Sequence, residues 1–244
     1  MKELPTKQLA VITGASSGIG EAIARKLSAE GHPLLLLARR VERLEALDLP
    51  NCLCRKVDVT DRQDFETALR EAEDQFGPAD LMINNAGLML LGQAHDQDAS
   101  EWKQMFDVNV LGLLNGMQTV LAPMKARKSG TIINISSIAG RKTFPNHAVY
   151  CGTKFAVHAM TENIREEVAD DNVRVITIAP GAVETELLSH TTSREIREGY
   201  EDWKTTMGGV IAPDDIAAAV AFAYQQPQSV CVREIVVAPT RQQP

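Results

Sequence analysis

The feature that most restricts this chain is the grouping of its apolar residues. Leu34-Leu35-Leu36-Leu37-Ala38 is an unbroken apolar run of strand length, and Leu9-Ala10-Val11-Ile12 is another. Further β-type runs stand at 52–57, 81–83, 131–135, 173–179 and 234–238, with helical patterns between them. A strand with one face in water alternates apolar and polar residues, whereas a strand covered on both faces does not. The pattern therefore predicts an α/β protein with a doubly wound, seven-stranded parallel sheet and helices on both faces.

The helices are legible by period. Phe65, Ala68, Leu69, Ala72 and Phe76 form one apolar stripe, and Thr60-Asp61-Arg62-Gln63 before it reads as a capping box with Thr60 as the cap. Gly31 and Gly77-Pro78 read as helix stops. The segment 102–124 is apolar on more than one face, through Met105, Phe106, Val110, Leu113, Leu114, Met117, Val120 and Leu121. Read as a single helix, it needs two partners, the sheet and a second subunit. From 182 to 210 no strand is evident, and Gly208-Gly209 closes the stretch. Connections that long are often lids, here with short helices around 192–203. No repeat or linker divides the chain, so residues 1–244 read as one domain with a substrate lid at about 182–210.

A formal charge of −7 argues against nucleic acid or an anionic membrane as the main partner. Lys125-Ala126-Arg127-Lys128 is a local basic run at a helix end, where positive charge complements the dipole. Cys52, Cys54, Cys151 and Cys231 fit neither a redox pair nor a zinc site, and no His/Cys/carboxylate cluster suggests any other metal. Reduced thiols, and an N-terminus without the apolar core of a signal peptide, point to a cytoplasmic protein.

Directly after the first strand comes Thr13-Gly14-Ala15-Ser16-Ser17-Gly18-Ile19-Gly20. Glycines between a strand and a helix permit a tight turn and let backbone approach a pyrophosphate, whose charge the helix N-terminus favours. An acidic residue about twenty positions further on would bond a ribose 2′-hydroxyl. The second strand ends instead in Arg39-Arg40, whose planar forks suit a 2′-phosphate and so NADP(H); the plainer alternative is two solvated arginines. Asp58, after the third strand, either accepts from an adenine amino group or serves a local turn with Thr60.

Tyr150 and Lys154 stand four residues apart and so share a helix face. A lysine cation favours the phenolate, bringing a tyrosine nearer to use as an acid or base. Ser137, past the fifth strand, is placed to bond the same substrate oxygen. Asn109 is an amide on an otherwise apolar face; either it holds a buried water, or it bonds a neighbouring carbonyl.

These residues, with Asn84-Asn85-Ala86-Gly87, Tyr150-Cys151-Gly152-Thr153-Lys154 and Pro180-Gly181, resemble the short-chain dehydrogenase/reductase family over nearly the whole chain. The resemblance implies a Rossmann fold, a catalytic tetrad of Asn109, Ser137, Tyr150 and Lys154, and a homotetramer. It implies that Lys154 also bonds the nicotinamide ribose and that Asn109 holds a water in a proton relay. Cofactor contacts implied in the first half of the chain are Gly14, Ser16, Ser17, Gly18, Ile19, Gly20, Arg39, Arg40, Asp58, Val59, Asn85, Ala86 and Gly87. The second half supplies Tyr150, Lys154, Pro180, Gly181, Val183 and Thr185, the last reaching the carboxamide. The tail 232–242 is similar to the branch containing clavulanate dehydrogenase and the hydroxy-acid and serine dehydrogenases.

The substrate is then a small carbonyl compound or its alcohol. Met89, Leu90 and Leu91 make a partly apolar wall, Trp203 and Met207 either close over the substrate from the lid or pack within it, and Cys151 packs away from the chemistry. His147, His190, Arg141 and Lys142 either greet an anionic substrate or are ordinary loop residues. Two rival readings stay open: a 3-oxoacyl-carrier-protein reductase, docking its acidic partner on Lys125, Arg127 and Lys128, and a nucleotide-binding protein without turnover.

Overall fold

In the computed structural model, which describes residues 7–243, each of the seven runs becomes a strand. They are β1 (Leu9–Thr13), β2 (Leu34–Ala38), β3 (Cys52–Lys56), β4 (Ala79–Asn84), β5 (Thr131–Ile135), β6 (Arg174–Pro180) and β7 (Glu234–Val237). The helices are α1 (Gly18–Ala29), α2 (Val41–Glu45), α3 (Arg62–Phe76), α4 (Ala99–Phe106), α5 (Leu113–Arg127), α6 (Ala148–Glu167), α7 (Arg194–Thr206) and α8 (Pro213–Gln225). The reading of the N-terminus concerns residues 1–6, which lie outside the described residues.

All seven strands pair in parallel, in the order β3-β2-β1-β4-β5-β6-β7. This is the doubly wound Rossmann fold, a seven-stranded parallel sheet with helices on both faces. Alternate residues of one strand feed two cores. Ala10, Ile12, Leu34, Leu36, Ile83, Ile133 and Ile176 face α1 and α8. Leu9, Val11, Leu35, Leu37, Met82, Ile132 and Val175 face α3, α5 and α6. Both faces being dry is why the runs are unbroken. The edge strands β3 and β7 are partly exposed, which accounts for their charged residues. Chain order reverses between β1 and β4, which opens a crevice at the C-terminal ends of the strands.

Two local expectations need correction. The cap of α3 is Asp61, which accepts from the Asp64 N–H at 3.1 Å, and not Thr60. Thr60 is taken up by Asp58, to which it donates from its N–H at 3.0 Å and its hydroxyl at 2.8 Å, so the helix starts one residue later. The segment 102–124 is likewise not one helix: between α4 and α5 lies a π-helical turn, Asp107–Gly112. Such a turn slips the hydrogen-bond ladder by one residue and re-aims the side chains it carries. Phe106 at the end of α4, Leu111 of the turn and Phe155 of α6 are exposed. The short helix expected around 192–203 is present as α7, preceded by a 3₁₀ turn at Glu186–His190, and Val183 bridges in parallel to Ile211 just past the segment's far end.

Candidate active site

At the crevice, the turn after β1 is laced to the turn after β4. Thr13 Oγ1 accepts from the N–H groups of Asn85 at 2.9 Å and Ala86 at 3.0 Å. Asn85 Nδ2 donates in return to the carbonyls of Thr13 at 2.9 Å and Gly14 at 3.2 Å. Gly14 has φ +64°, and a Cβ there would meet the Ala86 backbone Cα at 2.8 Å. Only glycine satisfies both the left-handed conformation and that approach. A Cβ on Gly20 would lie 2.4 Å from the Gly14 carbonyl oxygen, so Gly20 lets α1 pack under the turn.

Above these turns is a cavity of about 1160 Å³. Every residue expected to contact cofactor lines it except Gly20, and of the four expected catalytic residues only Asn109 does not. The arrangement suits a dinucleotide: a glycine cradle that any side chain would fill, at the N-terminus of α1, with arginines at one end and a phenol at the other.

At the chemical end, Ser137 begins a short 3₁₀ turn, and its Oγ accepts from the Ala139 N–H at 3.1 Å. Tyr150 and Lys154 emerge from one face of α6, both buried, with Lys154 Nζ 5.8 Å from the Tyr150 ring centroid. Lys154 donates to the Ile135 carbonyl at 3.0 Å, and burial pulls its pKa down to about 8. The expectation that Lys154 draws the phenol down is not met. Burial pushes the Tyr150 pKa well above that of a free phenol, and the polar contact with Ser137 offsets this only in part.

Asn109 resolves into the second of its two readings. The π-helical turn aims its amide at Leu88, accepting from the N–H at 2.7 Å and donating to the carbonyl at 2.8 Å, with a further bond to Thr153 Oγ1 at 3.1 Å. Asp58 serves its own turn through Oδ1, which accepts both bonds from Thr60, and it also borders the cavity.

The mouth carries a chain of rings. His147 lies 5.6 Å from Phe144, 6.3 Å from Tyr150 and 6.1 Å from Tyr200, and Tyr200 lies 5.1 Å from Trp203. Burial lowers the His147 pKa, so the ring is neutral at pH 7, and pushes the Tyr200 phenol up to about 12. Met89 and Leu91 line the cavity, while Leu90 and Met207 are packed away from it. His190 borders the cavity, but Arg141 turns to Glu234 at 3.6 Å and Lys142 lies over the Phe144 ring. Cys151 packs beneath, its Sγ 3.7 Å from the Lys142 carbonyl. Of the proposed carrier-protein patch, Lys125 is paired with Asp171 at 3.2 Å and Arg127 donates inward to the Ala79 carbonyl.

Sequence reasoning missed four contributors. Arg43 stands one helical turn after Arg40, a spacing that could have flagged it. Glu186 meets both arginines from the far side of the cavity. Gln242 borders the cavity and accepts from the Ala182 N–H at 2.9 Å, holding the turn after β6. Tyr200 faces the Tyr150 end of the site from α7. Glu186 and Tyr200 fall within the expected lid, but their partners across the cavity are distant in sequence, as is that of Gln242.

The family model described as short chain dehydrogenase matches residues 8–196. An uncharacterized oxidoreductase of Staphylococcus saprophyticus is 40% identical over 241 residues, covering 96% of this chain and 97% of its own length. The closed form of serine dehydrogenase complexed with NADP+ matches with a TM-score of 0.91 at 31% identity, over 97% of this chain and 96% of that one. An alcohol dehydrogenase from the archaeon Thermococcus sibiricus, complexed with 5-hydroxy-NADP, matches with a TM-score of 0.84 at 30% identity, over 98% and 99%. Given its strand order, its glycine cradle and these matches, the chain belongs to the short chain dehydrogenase family of oxidoreductases.

Proposed function

We propose that the protein is an NADP(H)-dependent oxidoreductase that interconverts a small carbonyl compound and its alcohol, with Tyr150 as general acid and base. The observation that carries this reading is the buried Tyr150–Lys154 pair opposite Ser137, at the end of a dinucleotide-sized cavity that begins at a glycine cradle. When bound, the nicotinamide supplies or accepts the hydride. Gly14, Ser16, Ser17, Gly18, Ile19, Ala86, Gly87, Pro180, Gly181, Val183 and Thr185 hold the cofactor, with Arg39, Arg40 and Arg43 at its ribose end. The two similar structures solved with NADP-type cofactors support that choice.

In the reductive direction Tyr150 gives its proton to the carbonyl oxygen, and Ser137 orients that oxygen. Lys154 holds positive charge below the phenol as negative charge develops there. Asn109 acts through the Leu88 backbone, fixing the strand-to-loop path beside Lys154. The segment 182–210 is the lid, and Tyr200 and Trp203 exclude water from the mouth. The exposed Phe106, Leu111 and Phe155 form a subunit contact within a homotetramer in the cytoplasm. Among the described residues no helix is long and apolar enough to cross a membrane.

The test is a panel of aldehydes, ketones, hydroxy acids and 3-oxoacyl thioesters, each assayed with phosphorylated and unphosphorylated cofactor. Tyr150→Phe should bind NADPH normally and lose turnover by ~10²–10⁴-fold. Full turnover by that variant, or no carbonyl reduced by the wild type, would refute the assignment.

A further inference from the structure

Arg40, which lines the cavity, and Arg43 beside it already hold an anion, and it belongs to the protein. Glu186 is the first residue of the 3₁₀ turn that opens the 182–210 segment, and it crosses to α2. Its Oε2 accepts from Arg40 Nη1 at 3.1 Å. Both its oxygens accept from Arg43 Nη1, at 2.9 and 3.1 Å. Arg40 is meanwhile pulled over the glycine turn, where its Nη2 meets Ser17 Oγ at 3.1 Å and Ser16 Oγ at 3.4 Å. Arg40 and Glu186 both line the cofactor cavity.

We propose that Glu186 is an internal anion that occupies the Arg40–Arg43 pair in place of a ribose 2′-phosphate, and so sets how strongly the site favours a phosphorylated cofactor. The inference rests on the NADP reading above and adds a residue that opposes it. A carboxylate and a phosphate monoester use the same guanidinium N–H groups. A 2′-phosphate brings about −1.5 to −2 charge to a position that already holds −1. Either it displaces Glu186, losing the contacts Glu186 makes, or it shares the arginines with Glu186 and is repelled. Both routes weaken the phosphorylated ligand and leave a bare 2′-hydroxyl almost untouched. The two arginines hold the Glu186 carboxyl below the usual carboxylate range, so it keeps its charge throughout the neutral region. All three side chains are about half exposed, which limits each pair to a modest free energy and the whole effect to roughly three- to thirtyfold in affinity.

The experiment measures binding of adenosine 2′,5′-bisphosphate and of 5′-AMP to the wild type, Glu186→Gln, and Arg40→Ala/Arg43→Ala. Glu186→Gln should bind the bisphosphate roughly three- to thirtyfold more tightly and change 5′-AMP binding by less than about twofold. Its bisphosphate affinity should also fall more steeply with added salt than that of the wild type, because the arginine charge it meets is no longer neutralised. Unchanged or weakened bisphosphate binding by Glu186→Gln, with Arg40→Ala/Arg43→Ala still selectively harmful to it, overturns the internal-anion proposal alone. If Arg40→Ala/Arg43→Ala leaves bisphosphate binding intact, the proposal falls, and if adding Arg39→Ala also leaves it intact, the NADP reading falls with it. The substitution is at an exposed carboxylate, and thermal melts of each variant check that the fold is retained.

Discussion

Lys154→Met should stabilise the cofactor-free protein while abolishing its activity. The lysine is 6% exposed, and its ammonium has one hydrogen-bond partner, the Ile135 carbonyl, with no carboxylate within ion-pair distance among the described residues. Burial pulls its pKa from 10.5 to about 8. At ~1.4 kcal/mol for each tenfold, holding the charged form in the folded site costs ~3 kcal/mol at neutral pH. The sign follows from linkage: with the folded pKa below the unfolded one, the unfolded chain binds more protons between about pH 8 and 10.5. Wild-type stability therefore rises with pH through that window, and at pH 10 less than ~1 kcal/mol of the penalty remains. Methionine keeps the apolar stem, removes the charge and gives up the bond to Ile135, worth ~1 kcal/mol. The net gain at pH 7 is ~2 kcal/mol, or roughly 4–8 °C in Tm for a chain of this size. Thermal or urea unfolding of both proteins at pH 7 and pH 10, without cofactor, measures it. A variant that melts at or below the wild type at pH 7 would refute the reasoning, as would a gap that does not close by pH 10. Confirmation would mark Lys154 as a group kept for function against stability.

Two further outcomes are expected from the site's supports. Asn109→Ala orphans the Leu88 N–H and carbonyl, a cost of ~2–4 kcal/mol, so apo Tm and turnover should fall together. A loss of turnover with an unchanged melt would show that the amide acts on a water or substrate instead. Gly116→Ala places a Cβ 2.1 Å from Asn84 Oδ1 and 2.9 Å from Met82 Cε, within the buried Asn84–Asn134–Thr161 chain of hydrogen bonds. Overpacking there should cost ~1–3 kcal/mol, read as a lower urea midpoint at unchanged slope, and a neutral result would mean that the asparagine chain can rearrange.

What could be read from the sequence divides by distance along the chain. Leu34–Ala38 is a strand because every one of its side chains has an apolar partner, and that condition is written in the five residues themselves. The glycine turn and the four-residue spacing of Tyr150 and Lys154 are local in the same sense. The π-helical turn was not legible: the apolar pattern of 102–124 is what a straight helix would also show, and the slip is fixed by Leu88, twenty-one residues before Asn109. Glu186 stands 146 residues after Arg40, and Gln242 stands 60 after Ala182. Thr185 marks the neighbourhood of Glu186, but nothing in the sequence says that its carboxylate meets Arg40 or that Gln242 meets Ala182.

The electrostatic state of Tyr150 belongs to the same class, because its sign depends on burial as well as on spacing. Spacing brings a cation and a phenol to one face of α6, which taken alone favours the phenolate. The surrounding wall, assembled from Met89, Leu91, Leu188 and the rings of α7, removes the water that would solvate that phenolate. Burial then has the larger effect, and the phenol keeps its proton through the neutral range. For the carbonyl reduction proposed here that is the useful state, since the reaction draws a proton from Tyr150. The phenolate is the product of that proton transfer and the starting state for oxidation, and Lys154 favours it only while charged. With the lysine itself pulled down to about 8, raising the pH to ionise Tyr150 discharges Lys154 first. Burial therefore holds Tyr150 in its protonated form, and because reduction ends on the phenolate from which oxidation starts, both directions depend on the positive charge held beside the pair.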